Sequence, residues 1–147
     1  MAIDFETQTK QLYAAINAHD LEKFLSLHTD DVIVTMADGT VIRGKKELRD
    51  YFESLFAAFS DVRADLTSFF SSGNRQCEEY VVSGKHTGDY MGMPATGKSF
   101  SYRIAAVREL REGKTSQVSS YSDSAPLMRQ LGIWPPTPQK SRRSRPR

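Results

Sequence analysis

The chain has 147 residues, of which 39% are hydrophobic and 26% are charged, values typical of one soluble globular domain. No apolar run is long enough to span a membrane, and the first residues lack the basic and apolar regions of a signal peptide. We therefore expect a cytoplasmic protein with no membrane partner. The single cysteine, Cys77, excludes an internal disulfide and offers no partners for a cysteine-based metal site.

The net charge of +2 is unevenly distributed along the chain. Between Gln139 and Arg147 there are five basic residues and no acidic residue, which leaves 15 basic and 18 acidic residues, a net charge of −3, elsewhere. The pI of 8.7 therefore does not indicate a nucleic-acid-binding domain. We expect one domain over residues 1–134 and a disordered, basic, proline-rich tail over residues 135–147, through which nucleic acid would bind only weakly.

Apolar residues recur at helical spacing in three segments of the first half, which predicts three amphipathic helices. Asp20 is suited to cap the second helix. Between the second and third helices, a β-branched run is followed directly by Asp38-Gly39, which predicts a hairpin. The predicted helices cover residues 4–18, 21–27 and 45–59, and the predicted hairpin strands cover residues 32–36 and 40–42.

The second half changes to alternating hydrophobicity, which predicts four long strands separated by short turns. A short helical segment from Pro126 to Leu131 follows, closed by Gly132. The order α-α-β-β-α-β-β-β-β predicts an α+β fold, a cone-shaped curved antiparallel sheet with helices packed on its concave face. The predicted strands cover residues 62–70, 76–86, 99–110 and 115–122.

Residues 92–99 match the phosphate-binding loop pattern G-x-x-x-x-G-K-[ST]. A working phosphate loop leads into the N-terminus of a helix, because backbone N–H groups and the helix dipole bind the phosphates. The sequence after Lys98 alternates like a strand, and the chain lacks the repeated β-α units of a nucleotide-binding sheet. We therefore interpret this stretch as a glycine-rich connection between two strands.

Several short motifs in this region carry a family resemblance. His-Thr-Gly at 86–88 is followed by Gly-Met-Pro-Ala-Thr-Gly-Lys at 92–98, a Glu-Gly-Lys turn at 112–114, and Asp123 before Leu-Met-Arg-Gln-Leu-Gly at 127–132. In order and spacing they resemble the SnoaL-like polyketide cyclase (ester cyclase) family, which has the nuclear transport factor two-like fold. The resemblance extends from the first helix to Gly132 and implies that fold.

The resemblance also implies a function. In the cyclases of this family, a carboxylate removes an acidic C–H proton and the resulting enolate attacks a carbonyl, an aldol ring closure that needs no metal or cofactor. Asp123 occupies the matching position, so we expect a cofactor-free cyclase, isomerase or lyase acting on a small apolar or polyketide-like molecule. Because one fold hosts many functions, a non-catalytic module for ligand binding or dimerisation remains the alternative.

Asp123 itself has two interpretations. Alternation along the last strand puts Ser119, Tyr121 and Asp123 on one face, so that Tyr121 could donate a hydrogen bond to an oxyanion while Asp123 acts as the base. An apolar cavity would then raise the pKa of Asp123 towards the working pH. Alternatively, Asp123 caps the turn that contains Pro126, which would lower its pKa.

Other residues could contact a ligand. His86, the third catalytic candidate, lies at a strand end, where it either reaches the ligand or orients the glycine-rich loop. For each of the remaining candidates, a place in the core, on a strand face or at the rim is the alternative to ligand binding. These candidates are Tyr13, His28, Met36, Phe56, Tyr80, Tyr102, Arg103 and Ser119.

The chain departs from the family pattern at two points. Many members carry a histidine where this chain has Thr35-Met36, and a tryptophan where it has Ser119. Both changes remove polar or aromatic groups from the expected cavity and favour a smaller or altered ligand. The exposed side of a curved sheet also makes a homodimer the expected assembly.

Overall fold

The computed structural model describes residues 4–133 and contains four helices and six strands in that range. Their order confirms the predicted α+β fold, with a short fourth helix after the last strand. The predicted tail at 135–147 lies outside the described residues. The elements are α1 (Phe5–Asn17), α2 (Leu21–Ser26), β1 (His28–Thr35), β2 (Val41–Arg43), α3 (Gly44–Ala58), β3 (Arg63–Ser72), β4 (Arg75–Lys85), β5 (Ser99–Arg111), β6 (Lys114–Ser122) and α4 (Ala125–Gln130).

The six strands form one curved, unclosed sheet in the order β2-β1-β6-β5-β4-β3. Neighbouring strands are antiparallel except β1 and β6, which run parallel, with Val34 opposite Val118. The predicted antiparallel sheet thus contains one parallel pair. Register shifts interrupt three of the five strand pairs, and such bulges increase local twist and bend a sheet.

The two faces of the sheet can be assigned from the strand register, because residues paired across strands point to the same side. Glu78, Ala106 and Ser120 form one such row, and Glu78 and Ala106 are buried on the side of the helices. We call this the concave face. The adjacent row on the opposite, convex face is formed by Glu79, Ala105 and Tyr121.

The sheet also has two distinct ends. Because β1 and β6 are parallel, the β1–β2 turn and the end of β6 lie at the same end of the sheet. Lys85 pairs with Ser99, so the connection from 86 to 98 belongs to that end as well. We call it the open end, and the end with the β3–β4 and β5–β6 turns the closed end.

Two apolar clusters attach the helices to the sheet. The first joins α1, α2 and α3 to β1, with Leu12, Phe24 and Leu48 among its buried members. The second lies near the open end, where Leu127 of α4 and Leu131, its C-cap residue, pack with Phe59 and Phe100. Burial of side chains of this size stabilises a fold by about 1.5–3 kcal/mol each, so these clusters hold the helices against the concave face.

The glycine-rich connection from 86 to 98 is a tight excursion fixed at its base. The His86 amide donates to the Lys98 carbonyl at 2.9 Å, and the Gly97 amide donates to the His86 carbonyl at 2.9 Å. The strand β5 begins at Ser99, directly after Lys98. The helix N-terminus that a phosphate loop requires is therefore not formed there, as predicted.

Candidate functional site

Five tyrosines line a recess between the helices and the concave face. Burial raises the pKa of each of them, that of Tyr102 to about 12. Nevertheless, 37% of the Tyr51 side chain is exposed, and Tyr80 and Tyr102 are half-buried. Partly exposed rings that are surrounded by protein indicate a concavity, and the buried Tyr13 packs on Tyr80 beside it. We call it the tyrosine recess, formed by Tyr13, Tyr51, Tyr80, Tyr90 and Tyr102.

The tyrosines act on one another, which indicates a single recess. Burial is the largest cause of the raised pKa of Tyr51, followed by Tyr90 and Tyr102. For the pKa of Tyr80, burial is followed by Glu78 and then by Tyr102. The Tyr13 and Tyr80 rings meet edge to face, with centroids 5.4 Å apart. Tyr13 and Tyr80 lie deeper, towards the closed end, whereas Tyr90 belongs to the open end.

A buried polar cluster forms the floor of the recess. Arg108, 1% exposed, donates to Glu78 Oε2 from Nε at 3.4 Å and from a terminal nitrogen at 3.2 Å. It also donates to Thr9 Oγ1 at 2.6 Å, to Thr115 Oγ1 at 2.9 Å and to Gln8 Oε1. Because the guanidinium has five N–H donors and the cluster supplies acceptors on several sides, the buried charge is well compensated.

Three predicted ligand residues, Tyr13, Tyr80 and Tyr102, lie in the tyrosine recess. Met36 and Phe56 are half-buried at the margins of the two apolar clusters. Phe56 also stacks on the His19 ring with centroids 4.3 Å apart.

His28 lies in the core at the closed end. It is 3% exposed, and its Nδ1 bonds with the Phe24 carbonyl oxygen at 2.8 Å. Because a carbonyl oxygen only accepts, Nδ1 carries the proton. Burial lowers the pKa of His28 to about 4, which keeps the ring neutral near pH 7.

Arg103, Ser119 and Tyr121 lie on the convex face, which corrects the expected register of the last strand. Ser120, paired with Ala106, is the concave-face residue, so its neighbours Ser119 and Tyr121 point away from the helices. Tyr121 is 58% exposed, and Arg103 forms a surface ion pair with Glu79 at 3.4 Å. Alternation predicted which residues share a face, but not which face meets the helices.

Asp123 follows β6 at the open end and is exposed. Its Oδ1 accepts a hydrogen bond from the Ala125 amide at 2.9 Å, at the start of α4. The N-cap residue of α4 is Ser124, so Asp123 precedes the cap, and its bond to Ala125 leaves the second carboxylate oxygen available.

His86 is fully buried at the base of the glycine-rich connection. Its Nδ1 accepts a hydrogen bond from the Thr96 amide at 3.2 Å and lies 3.0 Å from Thr96 Oγ1. An acceptor Nδ1 places the proton of the neutral ring on Nε2, which is buried without a partner among the described residues. His86 thus contacts the loop through Thr96, the contact that its loop-orienting interpretation requires.

The sequence interpretation did not include Tyr51, Tyr90, Glu78 or Arg108. Tyr51 does lie on the apolar face of α3, and Glu78 and Arg108 are in phase with the inward residues of β4 and β5. Charged residues at inward positions of two paired strands were the available signal for the floor.

Among residues 4–133, no helix is both long and apolar enough to cross a membrane. Within the same range there is no group of three or more histidine, cysteine or acidic side chains arranged to hold a metal ion.

The sequence profile of the SnoaL-like polyketide cyclases matches residues 7–131, which include every helix and strand except the start of α1. The chain belongs to the SnoaL-like polyketide cyclase family. No curated protein matches this SnoaL-like chain.

Several solved structures resemble this SnoaL-like protein in fold. IdmH, a candidate polyketide cyclase from Streptomyces antibioticus, is 25% identical, with a TM-score of 0.75 over 87% of this chain and 98% of that chain. AclR, a candidate hydroxylase from Streptomyces galilaeus, is 22% identical, with a TM-score of 0.79 over 88% of this chain and 96% of that chain. A protein with a ketosteroid isomerase-like fold from Catenulispora acidiphila, in complex with trimethylamine, is 17% identical, with a TM-score of 0.74 over 85% of this chain and 92% of that chain.

Proposed function

We propose that this SnoaL-like protein encloses a small, mainly apolar or polyketide-like molecule in the tyrosine recess and catalyses acid/base chemistry of the cyclase type on it. The observation that supports the proposal is a set of four tyrosines, Tyr51, Tyr80, Tyr90 and Tyr102, that are surrounded by protein yet accessible to water, with the buried Tyr13 packed on Tyr80. Ligand sites are typically concave, mostly apolar and aromatic, with a few polar groups that fix orientation. The recess has this composition.

The proposed base is Asp123, which lies exposed at the open end of the sheet. A carboxylate there would take the acidic C–H proton of a 1,3-dicarbonyl group, and the enolate would then attack a second carbonyl of the same molecule. Tyrosine hydroxyls of the recess would donate hydrogen bonds to the enolate oxygen. Binding without catalysis is the second candidate function, favoured by the exposure of Asp123 and its bond to Ala125.

Binding is tested by equilibrium dialysis with 2-methoxynaphthalene, an apolar aromatic probe. The wild type should bind it, Tyr80→Ala should weaken binding about tenfold or more because it removes a ring of the recess, and Tyr121→Ala should not. Equal effects of the two substitutions would mean that the recess is not the binding site.

Catalysis is tested by exchange of the C2 protons of a naphthyl 1,3-diketone with D₂O, followed by NMR. The wild type should accelerate exchange over the buffer rate, Asp123→Asn should lose the acceleration, and Asp89→Asn, an exposed carboxylate of the 86–98 connection, should keep it. Binding of the diketone without accelerated exchange in the wild type would favour the second candidate.

The proposed assembly is a cytoplasmic homodimer that buries the convex face. Tyr121 is 58% exposed and Phe70 66% exposed on that face, beside half-buried Cys77 and Val107. Light scattering should report a dimer that Tyr121→Glu dissociates and that Met91→Glu, a substitution in the exposed loop, leaves intact. A monomeric wild type would rule out this assembly.

A further inference from the structure

The helix α1 and the strand β4 run side by side at the floor of the recess. Thr9 Oγ1 accepts a hydrogen bond from Gln76 Nε2 at 2.8 Å and donates to Gln76 Oε1 at 3.1 Å. Tyr13 lies one helical turn after Thr9 on the same face of α1, about 6 Å further along the helix axis. Glu78 lies two residues further along β4 on the same strand face, about 6.7 Å on. This spacing brings the two side chains to the same level above the Thr9–Gln76 contact.

The Tyr13 ring is fixed in this place. It is 7% exposed and packs edge to face against Tyr80, the next inward residue of β4 after Glu78. After burial, the charge of Glu78 is the second cause that raises the pKa of Tyr13. The tyrosine therefore keeps its proton and has a carboxylate beside it.

Within residues 4–133, the hydrogen bonds to the Glu78 carboxylate all go to one of its oxygens. Gln76 Nε2 at 2.7 Å and both Arg108 nitrogens at 3.2 and 3.4 Å all donate to Oε2. These three N–H contacts leave Oε1 to accept from the side of Tyr13. A phenol has a single proton, so a Tyr13 hydroxyl that donates to Glu78 can only accept a hydrogen bond from anything else.

We propose, building on the proposed ligand recess, that its deep end is a subsite for a hydroxyl group of the ligand. Tyr13 accepts the hydrogen bond from that hydroxyl, and Glu78 is the positioning residue that fixes the direction of the Tyr13 proton. The substrate class is then a phenol or alcohol whose hydroxyl points to the closed end and whose carbonyl groups point to the open end. A carbonyl oxygen at the deep end would face a second acceptor and is disfavoured.

The test compares two probes that differ in one donor, 2-naphthol and 2-methoxynaphthalene, by equilibrium dialysis against the full chain. The wild type should bind 2-naphthol roughly tenfold more tightly, the effect of one hydrogen bond to a charge-supported acceptor. Tyr13→Phe and Glu78→Gln should reduce this ratio to about one, whereas Glu79→Gln, the neighbouring carboxylate on the convex face, should leave it unchanged.

The ratio of the two affinities distinguishes loss of this subsite from a general loss of structure, because both probes report on the same folded protein. If Glu78→Gln fails to fold, Tyr13→Phe decides, since Tyr13 lies outside the Arg108 hydrogen bonds. Equal binding of both probes to the wild type, or a preference that survives Tyr13→Phe, would overturn the subsite but leave the recess as the binding site. Binding of neither probe would overturn both proposals.

Discussion

Arg108 and Arg103 provide a matched comparison of buried and exposed charge on one strand. Each is paired with a glutamate of β4, Arg108 with Glu78 at 3.2 Å and Arg103 with Glu79 at 3.4 Å. The first pair is buried on the concave face and the second is exposed on the convex face. Removing one partner of a buried pair leaves an uncompensated charge, whereas surface pairs contribute little.

We predict that Arg108→Met lowers the free energy of unfolding by about 3–5 kcal/mol, while Arg103→Met changes it by less than about 1 kcal/mol. Urea denaturation of the two variants measures both values. Equal losses of unfolding free energy would mean that the Arg108–Glu78 pair is no more buried than the Arg103–Glu79 pair.

From the burial of His28 we predict that the protein becomes less stable at mildly acidic pH. Burial lowers its pKa from 6.5 to about 4, with Arg108 and Lys45 acting in the same direction and the bond to the Phe24 carbonyl opposing them. Between these values the unfolded chain binds a proton that the folded chain does not. The contribution of His28 is therefore fully present above about pH 6.5 and is lost as the pH falls towards about 4.

The free energy of unfolding should accordingly fall by up to about 3 kcal/mol across this window because of His28 alone. His28→Gln keeps an N–H donor for the Phe24 carbonyl but does not titrate, so its stability should depend less steeply on pH. Denaturant titrations of both proteins at several pH values test this. Parallel pH profiles would contradict a buried neutral His28.

At the residue scale, the sequence indicated candidate residues, but not which face of the sheet their side chains occupy. Tyr13, Tyr80 and Tyr102, three of the ligand candidates, lie in the recess, and their contact with a ligand stays a prediction. Tyr121 does not lie there, because period-2 alternation is unchanged when a strand is turned over, and only tertiary packing decides which face is covered. The pairing of Tyr13 with Glu78 depends on how α1 crosses β4, which local sequence does not encode.

The connection from 86 to 98 makes a prediction at the scale of an element. The Thr87 and Gly88 amides donate to the Ala58 carbonyl at 2.9 and 3.0 Å, which docks the connection on the end of α3. A Cβ at Gly88 would collide with the Ala57 carbonyl oxygen. The close approach of two backbones therefore requires glycine here.

Gly88→Ala should lower the free energy of unfolding by about 1–3 kcal/mol, the usual cost of overpacking, and should speed hydrogen exchange at Thr87. Met91→Ala, in the same connection but 76% exposed, should change stability by less than about 0.5 kcal/mol. Undiminished protection of the Thr87 amide in Gly88→Ala would show that the docking does not depend on that glycine.

Elements were predictable where their sequence signals are local. The helical stripes, the Asp38-Gly39 turn and the change of period after residue 59 each depend on neighbouring residues, so the element types and their order are correct. Gln130 of α4, by contrast, bonds both backbone groups of Ser101 through its side chain, at 2.6 and 2.8 Å. This side chain continues the edge of β5 beyond the end of β6, a contact between segments 29 residues apart that no local pattern indicates.

At the scale of the whole molecule, the family motifs predicted the fold more completely than the hydrophobic periodicity did. Alternation alone is compatible with an all-antiparallel meander, whereas the chain places β1 beside β6 in parallel. This long-range pairing brings the β1–β2 turn, the 86–98 connection and Asp123 to one open end. The recess and the open end of the sheet are thus formed by the topology, from residues that are distant in sequence.

The proposed binding of a small molecule in the tyrosine recess is a claim that a crystal structure of the protein with 2-naphthol can test. We predict electron density for the naphthol between Tyr13, Tyr80 and Tyr102, with its hydroxyl oxygen within hydrogen-bond distance of the Tyr13 hydroxyl. Density only on the convex face, or an empty recess at saturating 2-naphthol, would contradict the claim.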